Sequence, residues 1–143
     1  MVKKRHRASA VVVFEGQLLT VLLQDPHTKA INYFIPGGKV EDMESPEIAA
    51  KRETLEEAGI DISIIPGSET VTTYQFIWNN EHIECTTAFY AATCDDPSLP
   101  ADIKDAPYNL GAQWLPISEL DTKMGFDQNI LEPIKRLITK YFQ

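Results

Sequence analysis

Hydrophobic and polar positions alternate over several short stretches of this 143-residue chain, and a period of two predicts β-strands. The stretches 8–14 and 17–24 are rich in valine and leucine, and Glu15-Gly16 between them predicts a two-residue hairpin turn. A second hairpin is predicted from 70–78 and 82–93. Shorter strands are expected in three further places: 32–35, 61–65 and 111–115.

Two other segments carry helical signals. Ser45-Pro46 supplies an N-cap and a favoured first helical residue, and Gly59 supplies a stop, so a helix is predicted between them. The C-terminal segment, whose start is blurred by Pro133, has apolar residues at helical spacing: Ile130, Leu131, Ile134, Leu137, Ile138, Tyr141 and Phe142. The aspartate- and proline-rich stretch 94–108 has little periodicity and predicts a long loop. This order of elements predicts an α+β fold with a mixed sheet between helices.

The first predicted helix has two chemically different sides. At about 100° per residue, Glu53, Glu56 and Glu57 cluster on one side, whereas Ile48 and Leu55 lie on an apolar side. Like charges at helical spacing cost a few tenths of a kcal/mol per pair, so a positive partner is expected. Magnesium suits this role because it takes oxygen ligands from carboxylates and substrate phosphates. The alternative interpretation is a solvated acidic face.

Composition and charge restrict the function classes. The length and the 43% hydrophobic content predict one domain over residues 1–143. A formal charge of -8 disfavours stable nucleic-acid binding. The basic residues 3–7 are interpreted as part of a flexible N-terminal arm, 1–7, with a targeting or phosphate-touching arm as the alternative. No membrane-spanning or signal segment is found, so a cytoplasmic protein without a membrane partner is expected. Cys85 and Cys94 lack metal-ligand spacing and are expected to be reduced thiols.

Glycines and charged residues surround the acidic helix at fixed spacings. The order is Gly38, five residues, Glu44, seven residues, and then Arg52-Glu53-Thr54-Leu55-Glu56-Glu57-Ala58-Gly59-Ile60. This stretch resembles the signature of the Nudix hydrolase family, Gly-x5-Glu-x7-Arg-Glu-U-x-Glu-Glu-x-Gly-U, where U is a bulky aliphatic residue. Every glycine, glutamate and arginine of the signature is present. The one departure is Thr54 at the first U position. Its hydroxyl is expected to affect local packing, but the acidic positions are unchanged.

The resemblance implies an α/β/α sandwich that hydrolyses a nucleoside diphosphate linked to another moiety, with Mg²⁺ or Mn²⁺ as cofactor. Position by position, it implies metal ligands and a supporting pair that orients them: Glu53, Glu56, Glu57 and the Gly38 carbonyl for the metal, and Glu44 with Arg52 for the pair. A second set comprises candidates for the general base. It contains Glu53 and Glu56 in the helix and the remote acids Glu81, Glu84, Asp95, Asp96, Asp102 and Asp105.

Substrate recognition depends on residues that the signature does not cover. Lys39 is a candidate phosphate contact, and Tyr33 is a candidate for stacking on a base. Tyr74, Phe76 and Trp78 alternate on one face of a predicted strand, where they are candidates either for base stacking or for the core.

A nucleoside triphosphate, cleaved to a monophosphate and pyrophosphate, is the favoured small-molecule substrate because the chain is short. The alternatives are ADP-ribose, a nucleotide sugar and a dinucleoside polyphosphate. At the downstream position where ADP-ribose-cleaving subgroups carry a proline, this chain has Gln75-Phe76-Ile77, which weakens that alternative. A non-catalytic nucleotide-sensing domain is the hypothesis from another class, since fold does not fix function. Similar proteins pair as dimers, so a homodimer is a further hypothesis.

Overall fold

The computed structural model describes residues 2–101, 103 and 105–143. The strands in these residues are β1 (Lys3–Phe14), β2 (Gln17–Gln24), β3 (Ile31–Phe34), β4 (Gly37–Lys39), β5 (Ile62–Ile64), β6 (Thr70–Trp78), β7 (Glu81–Cys94) and β8 (Asn109–Pro116). The helices are α1 (Pro46–Ala58), α2 (Leu120–Met124) and α3 (Gln128–Tyr141), and a 3₁₀ turn, Ile117–Glu119, precedes α2. None of the helices in this part of the chain is long and apolar enough to cross a membrane. Asp102, one of the remote acids, lies outside the described residues.

The strands form one mixed sheet whose central order is β3-β2-β1-β7-β5, with β4 paired to β1, β6 to β7 and β8 to β2. The β1–β7 pair is parallel and the other pairs are antiparallel. Successive side chains of β1 point to opposite faces, so Val11 packs with α2 and α3 while Ala10 and Val12 pack with α1. Helices therefore cover both faces, and the predicted α/β/α sandwich is confirmed.

Both predicted hairpins have two-residue turns. Glu15 and Gly16 have φ angles of 48° and 75°, and Asn79 and Asn80 have φ angles of 51° and 61°. Two consecutive positive φ angles are the geometry whose twist matches that of paired strands. These turns place β1 beside β2 and β6 beside β7.

The ends of α1 follow the signals in its sequence. Ser45 Oγ accepts a hydrogen bond from the Ile48 amide at 3.2 Å, and Pro46 is the first helical residue. Gly59 adopts φ 70°, and its amide donates to the Leu55 carbonyl at 2.9 Å. This left-handed cap ends the helix at the predicted position.

The packed side of α1 differs from the apolar side deduced from the sequence. Ile48 and Leu55 are 59% and 53% exposed. The residues that α1 buries are small or polar instead: Ala49, Ala50, Thr54, Glu57 and Ala58. Alanines on the helix meet Ala8 and Ala10 of β1, so the helix lies close to the sheet and one of its glutamates is buried there.

Thr54 is accommodated by a hydrogen bond within the helix. Its side chain is fully buried, and Oγ1 donates to the Ala50 carbonyl at 2.7 Å. A buried hydroxyl that finds an acceptor avoids the cost of an unpaired polar group. The departure from the aliphatic signature position therefore leaves the helix intact.

The prediction of a flexible basic arm is wrong for residues 3–7. These residues form the first half of β1 and pair in parallel with β7, from Lys3 opposite Ile83 to Arg7 opposite Thr87. The ladder supplies the backbone hydrogen bonds that a solvated arm would have left to water. The basic segment is consequently held at a fixed place in the sheet.

Candidate active site

A cleft of about 330 Å³ lies where α1, β4 and the sheet meet. Most of the residues proposed from the sequence line it: Gly38, Lys39, Glu53, Glu56, Glu57 and Tyr74. The cleft also receives side chains from β1, β6, β7 and the loop before β8. The fold thus collects residues from distant parts of the chain at the carboxylate side of α1.

Arg52 and Glu44 form a two-pronged ion pair beside the cleft. Arg52 Nε lies 2.7 Å from Glu44 Oε2, and Nη2 lies 3.0 Å from Glu44 Oε1. The hydrogen bonds from Arg52 lower the pKa of Glu44 to about 2, and they raise the pKa of Arg52 above its usual value. Such a bidentate pair fixes direction as well as distance.

The same guanidinium reaches the proposed metal ligands. Arg52 Nη1 lies 2.9 Å from Glu53 Oε1 and 3.3 Å from Glu56 Oε2, and Nη2 donates to the Lys39 carbonyl at 3.0 Å. Since Glu44 holds the guanidinium from the other side, Arg52 sets the positions of two carboxylates. This is the orienting contact that the resemblance implied for this pair.

Glu57 is the buried carboxylate of the cleft. Only 6% of the residue is exposed, and its Oε1 accepts a hydrogen bond from the Gly37 amide at 2.7 Å. Burial raises the pKa of Glu57 to about 8, and the Gly37 hydrogen bond opposes this rise. Desolvation therefore outweighs the one backbone donor.

Glu53 lies directly against the backbone of Gly38. A Cβ atom at Gly38 would come within 2.6 Å of Glu53 Oε1, so a residue with a side chain would displace this carboxylate. Burial raises the pKa of Glu53, while the hydrogen bond from Arg52 lowers it. The glycine of the signature is thus needed for close approach of backbone and carboxylate.

The donor chemistry of the cleft suits a hard divalent cation. Glu53, Glu56, Glu57 and the Gly38 carbonyl offer oxygen atoms, and burial of two of these carboxylates favours a positive partner. Within the described residues, no three acidic, histidine or cysteine side chains already converge as a metal site. Arg52 holds Glu53 and Glu56, so a cation would compete with its guanidinium for these oxygens.

Arg5 and Arg7 line the cleft as well, although the sequence favoured a flexible arm over a phosphate-touching one for this segment. They alternate with exposed Lys4 and His6 along β1, and Ser9 continues their face into the cleft. The signal was this period of two within the basic segment. It was missed because the segment was interpreted as an arm.

Aromatic side chains form the outer part of the cleft. Phe76 and Trp78 stack with centroids 6.4 Å apart and planes at 13°, and Tyr108 meets Trp78 edge-on at 5.6 Å. Phe34 packs edge-on against both Phe76 and Trp78. All four residues line the cleft.

The two tyrosines proposed for substrate binding lie in different places. Tyr74 lines the cleft but is buried at its floor, where its hydroxyl shares a hydrogen bond of 3.0 Å with Thr87 Oγ1. Tyr33 does not line the cleft, and its ring lies 6.0 Å from the Lys123 ammonium group. Because side chains alternate along β3, the neighbouring Phe34 enters the cleft instead.

Among the remote acids that the structure describes, Asp105 alone lines the cleft. Glu81 is exposed and lies 3.8 Å from Lys3 at the surface. The others, Glu84, Asp95 and Asp96, do not line it. Asp105 therefore joins Glu53 and Glu56 as an acid positioned to face a bound substrate.

Comparisons with known proteins agree on one family. The family model described as NUDIX domain matches residues 4–137. A comparison with curated proteins found no match.

Several solved structures share the fold. A NUDIX hydrolase from Nitrosomonas europaea superposes with a TM-score of 0.68 at 24% identity, covering 96% of this chain and 90% of that one. The Ap4A hydrolase of C. elegans superposes at 0.66 and 19% identity over 100% of both chains. The MutT protein from Methanosarcina mazei superposes at 0.66 and 18% identity, covering 99% of this chain and 98% of that one. At these identities, the likeness is one of fold.

Proposed function

Because the chain belongs to the Nudix family of pyrophosphohydrolases, we propose that it hydrolyses a pyrophosphate bond in a nucleotide. The preferred substrate is a nucleoside triphosphate, which is cleaved to a monophosphate and pyrophosphate. The observation that carries this proposal is the meeting of Glu53, Glu56, Glu57 and the Gly38 backbone in one cleft. These are the oxygen donors that the signature requires at one place.

Mg²⁺ or Mn²⁺ is the proposed cofactor, held by the three glutamates and the Gly38 carbonyl. When bound, such a cation neutralises phosphate oxygens and lowers the pKa of the water that attacks phosphorus. Arg52 orients Glu53 and Glu56 through contacts of 2.9 and 3.3 Å, and Glu44 fixes the guanidinium from behind. Carboxylates held in this way need little rearrangement during the reaction.

The attacking water loses a proton to an acid that lines the cleft. Glu53, Glu56 and Asp105 meet this condition among the described candidates. Attack occurs in line with the phosphate leaving group, so one P–O bond forms as the other breaks. Lys39, which also lines the cleft, is proposed to contact a phosphate oxygen.

The aromatic part of the cleft is proposed to hold the nucleobase. Trp78, Phe76 and Tyr108 offer ring surfaces beside the charged part, and each stacked base gains about 1–3 kcal/mol from such rings. Trp78→Ala should raise KM for nucleotides roughly tenfold or more while changing kcat less. Equal KM values for Trp78→Ala and the parent would place the base elsewhere.

The direct test is a substrate panel with product identification in Mg²⁺, in Mn²⁺ and in EDTA. The panel contains nucleoside triphosphates, ADP-ribose, a nucleotide sugar and a dinucleoside polyphosphate. The last is included because one neighbour of this fold is named an Ap4A hydrolase. Turnover of a triphosphate should exceed that of the other compounds and should vanish in EDTA.

Glu57→Gln and Glu132→Gln serve as paired variants in this panel. Glu57 lies in the cleft, whereas Glu132 is exposed on α3. We expect the first variant to be inactive and the second to match the parent. No turnover of any compound by the parent, or full activity of Glu57→Gln, would contradict the proposed function.

A further inference from the structure

Two guanidinium groups reach the cleft from β1, and neither forms an ion pair with a carboxylate of the described residues. Arg5 and Arg7 both line it and are partly buried. Among the described residues, no carboxylate oxygen lies within 4.0 Å of either group. Arg52 differs, because it is already occupied by Glu44, Glu53 and Glu56. The positive charge of Arg5 and Arg7 is therefore available to a ligand.

Strand pairing holds these two residues in place. Arg5 lies opposite Cys85 and Arg7 lies opposite Thr87 in the parallel ladder with β7, and Arg7 also lies opposite Lys39 of β4. Arg7 is therefore paired on both sides and Arg5 on one, so the backbone of each has a fixed place in the sheet. Partly burying an unpaired charge is costly, so an arrangement of this kind favours binding of an anion.

We infer that Arg5 and Arg7 form an anion subsite for a phosphate group of the substrate, in the same cleft as the carboxylates of α1. The assignment of this phosphate to a substrate rests on the proposed function, whereas anion binding at the subsite can be tested with inorganic pyrophosphate. A guanidinium offers a planar fork of donors that matches phosphate oxygens, and Lys39 adds a third cation on the neighbouring strand. The glutamates and the arginines thus bind different phosphates of a polyphosphate chain. One phosphate lies at the glutamates and another lies at the arginines.

The chain contains a matched control for this inference. Lys4 is on the same strand as Arg5 and carries the same charge, but it is exposed and does not line the cleft. Comparing Arg5→Gln and Arg7→Gln with Lys4→Gln separates contact with a phosphate from a general change in net charge. Arg7→Lys keeps the charge and loses the fork.

The binding of inorganic pyrophosphate in Mg²⁺ is measured by calorimetry, and KM and kcat are measured for the best nucleotide of the panel. We expect Arg5→Gln and Arg7→Gln to weaken pyrophosphate binding and to raise KM, each roughly tenfold or more, with Arg7→Lys in between. Lys4→Gln should stay within about twofold of the parent, as expected for an exposed charge. Thermal unfolding shows whether each variant is folded. If Arg7→Gln does not fold, Arg5→Gln still tests the subsite.

Three outcomes would overturn the subsite. In the first, the arginine variants have the same pyrophosphate affinity and KM as Lys4→Gln. In the second, they lose kcat while KM and pyrophosphate affinity stay unchanged. In the third, the parent protein does not bind pyrophosphate. The outcomes for function are separate. If the parent cleaves no nucleotide but binds pyrophosphate through Arg5 and Arg7, the subsite stands and the proposed hydrolysis fails. If it cleaves nucleotides and the arginine variants behave like Lys4→Gln, the hydrolysis stands and the subsite fails.

Discussion

Replacing Glu57 with glutamine should stabilise the metal-free protein at neutral pH while it removes activity. Glu57 is almost fully buried, and its Oε1 accepts the Gly37 amide hydrogen at 2.7 Å. Glutamine has nearly the same shape and can offer an oxygen to the same amide. What the substitution removes is the ionisable group.

The size and sign of this effect follow from the pKa of Glu57. Burial raises it in the folded protein from an ordinary value of 4.5 to about 8. Between these two pH values the folded protein keeps a proton that the unfolded chain releases, so the free energy of unfolding falls as pH rises. At about 1.4 kcal/mol per pH unit, the cost is absent below pH 4.5, about 3 kcal/mol at pH 7, and complete above pH 8.

Urea unfolding in EDTA, followed by tryptophan fluorescence at pH 4.5, 6, 7 and 8.5, measures this effect. The free energy of unfolding of Glu57→Gln should be close to that of the parent at the lowest pH. At pH 7 it should exceed that of the parent by about 3 kcal/mol. Glu132→Gln, at an exposed position on α3, is the control and should follow the parent. A difference that does not change with pH would refute the assignment of the raised pKa to Glu57.

Metal addition should narrow the difference in stability between the two proteins. A cation that binds the folded parent at about 100 times its Kd adds about 2.7 kcal/mol of stability. Glu57→Gln lacks one proposed ligand, so its melting temperature should rise less in Mg²⁺. Equal shifts for both proteins would show that Glu57 is not a ligand.

Three further substitutions test individual contacts. Arg52→Lys cannot form the forked contacts of 2.7 and 3.0 Å with Glu44, and kcat for the preferred nucleotide should fall about 10- to 100-fold. Unchanged kcat would argue against an orienting role. Gly38→Ala should displace the Glu53 carboxylate and lower kcat by a similar factor, while the circular dichroism spectrum stays that of the parent; an active variant would contradict the close approach. Thr54→Val removes the bond to the Ala50 carbonyl, which keeps its helical partner. The free energy of unfolding should therefore change by less than about 1.5 kcal/mol in urea titrations, and a larger loss would mean that the hydroxyl is essential.

The sequence alone determined the elements that depend on neighbouring residues. The turn at Glu15-Gly16 formed as predicted because positive φ angles there match the strand twist. Ser45 and Gly59 set the ends of α1 because capping involves residues within one helical turn. The spacing of the acidic residues along the chain also identified the family, since this pattern is local.

Only the tertiary structure decided which side chains meet in the cleft. Arg5 and Arg7 belong to a strand because residues about eighty positions later pair with them, and no local signal contains that partner. Asp105 lines the cleft, whereas Asp95 and Asp96 in the same segment do not, because the path of the loop rather than the residue type decides this.

Burial was the other property that required the fold. The helical pattern placed Ile48 and Leu55 on an apolar side, but the sheet receives the alanine side, where the two backbones can come close. Glu57 is carried into the interior by this choice, and its raised pKa results from desolvation that no composition or spacing reveals. The reactive groups could therefore be identified from the sequence, whereas the packing of α1 against β1 determined their ionisation and their partners.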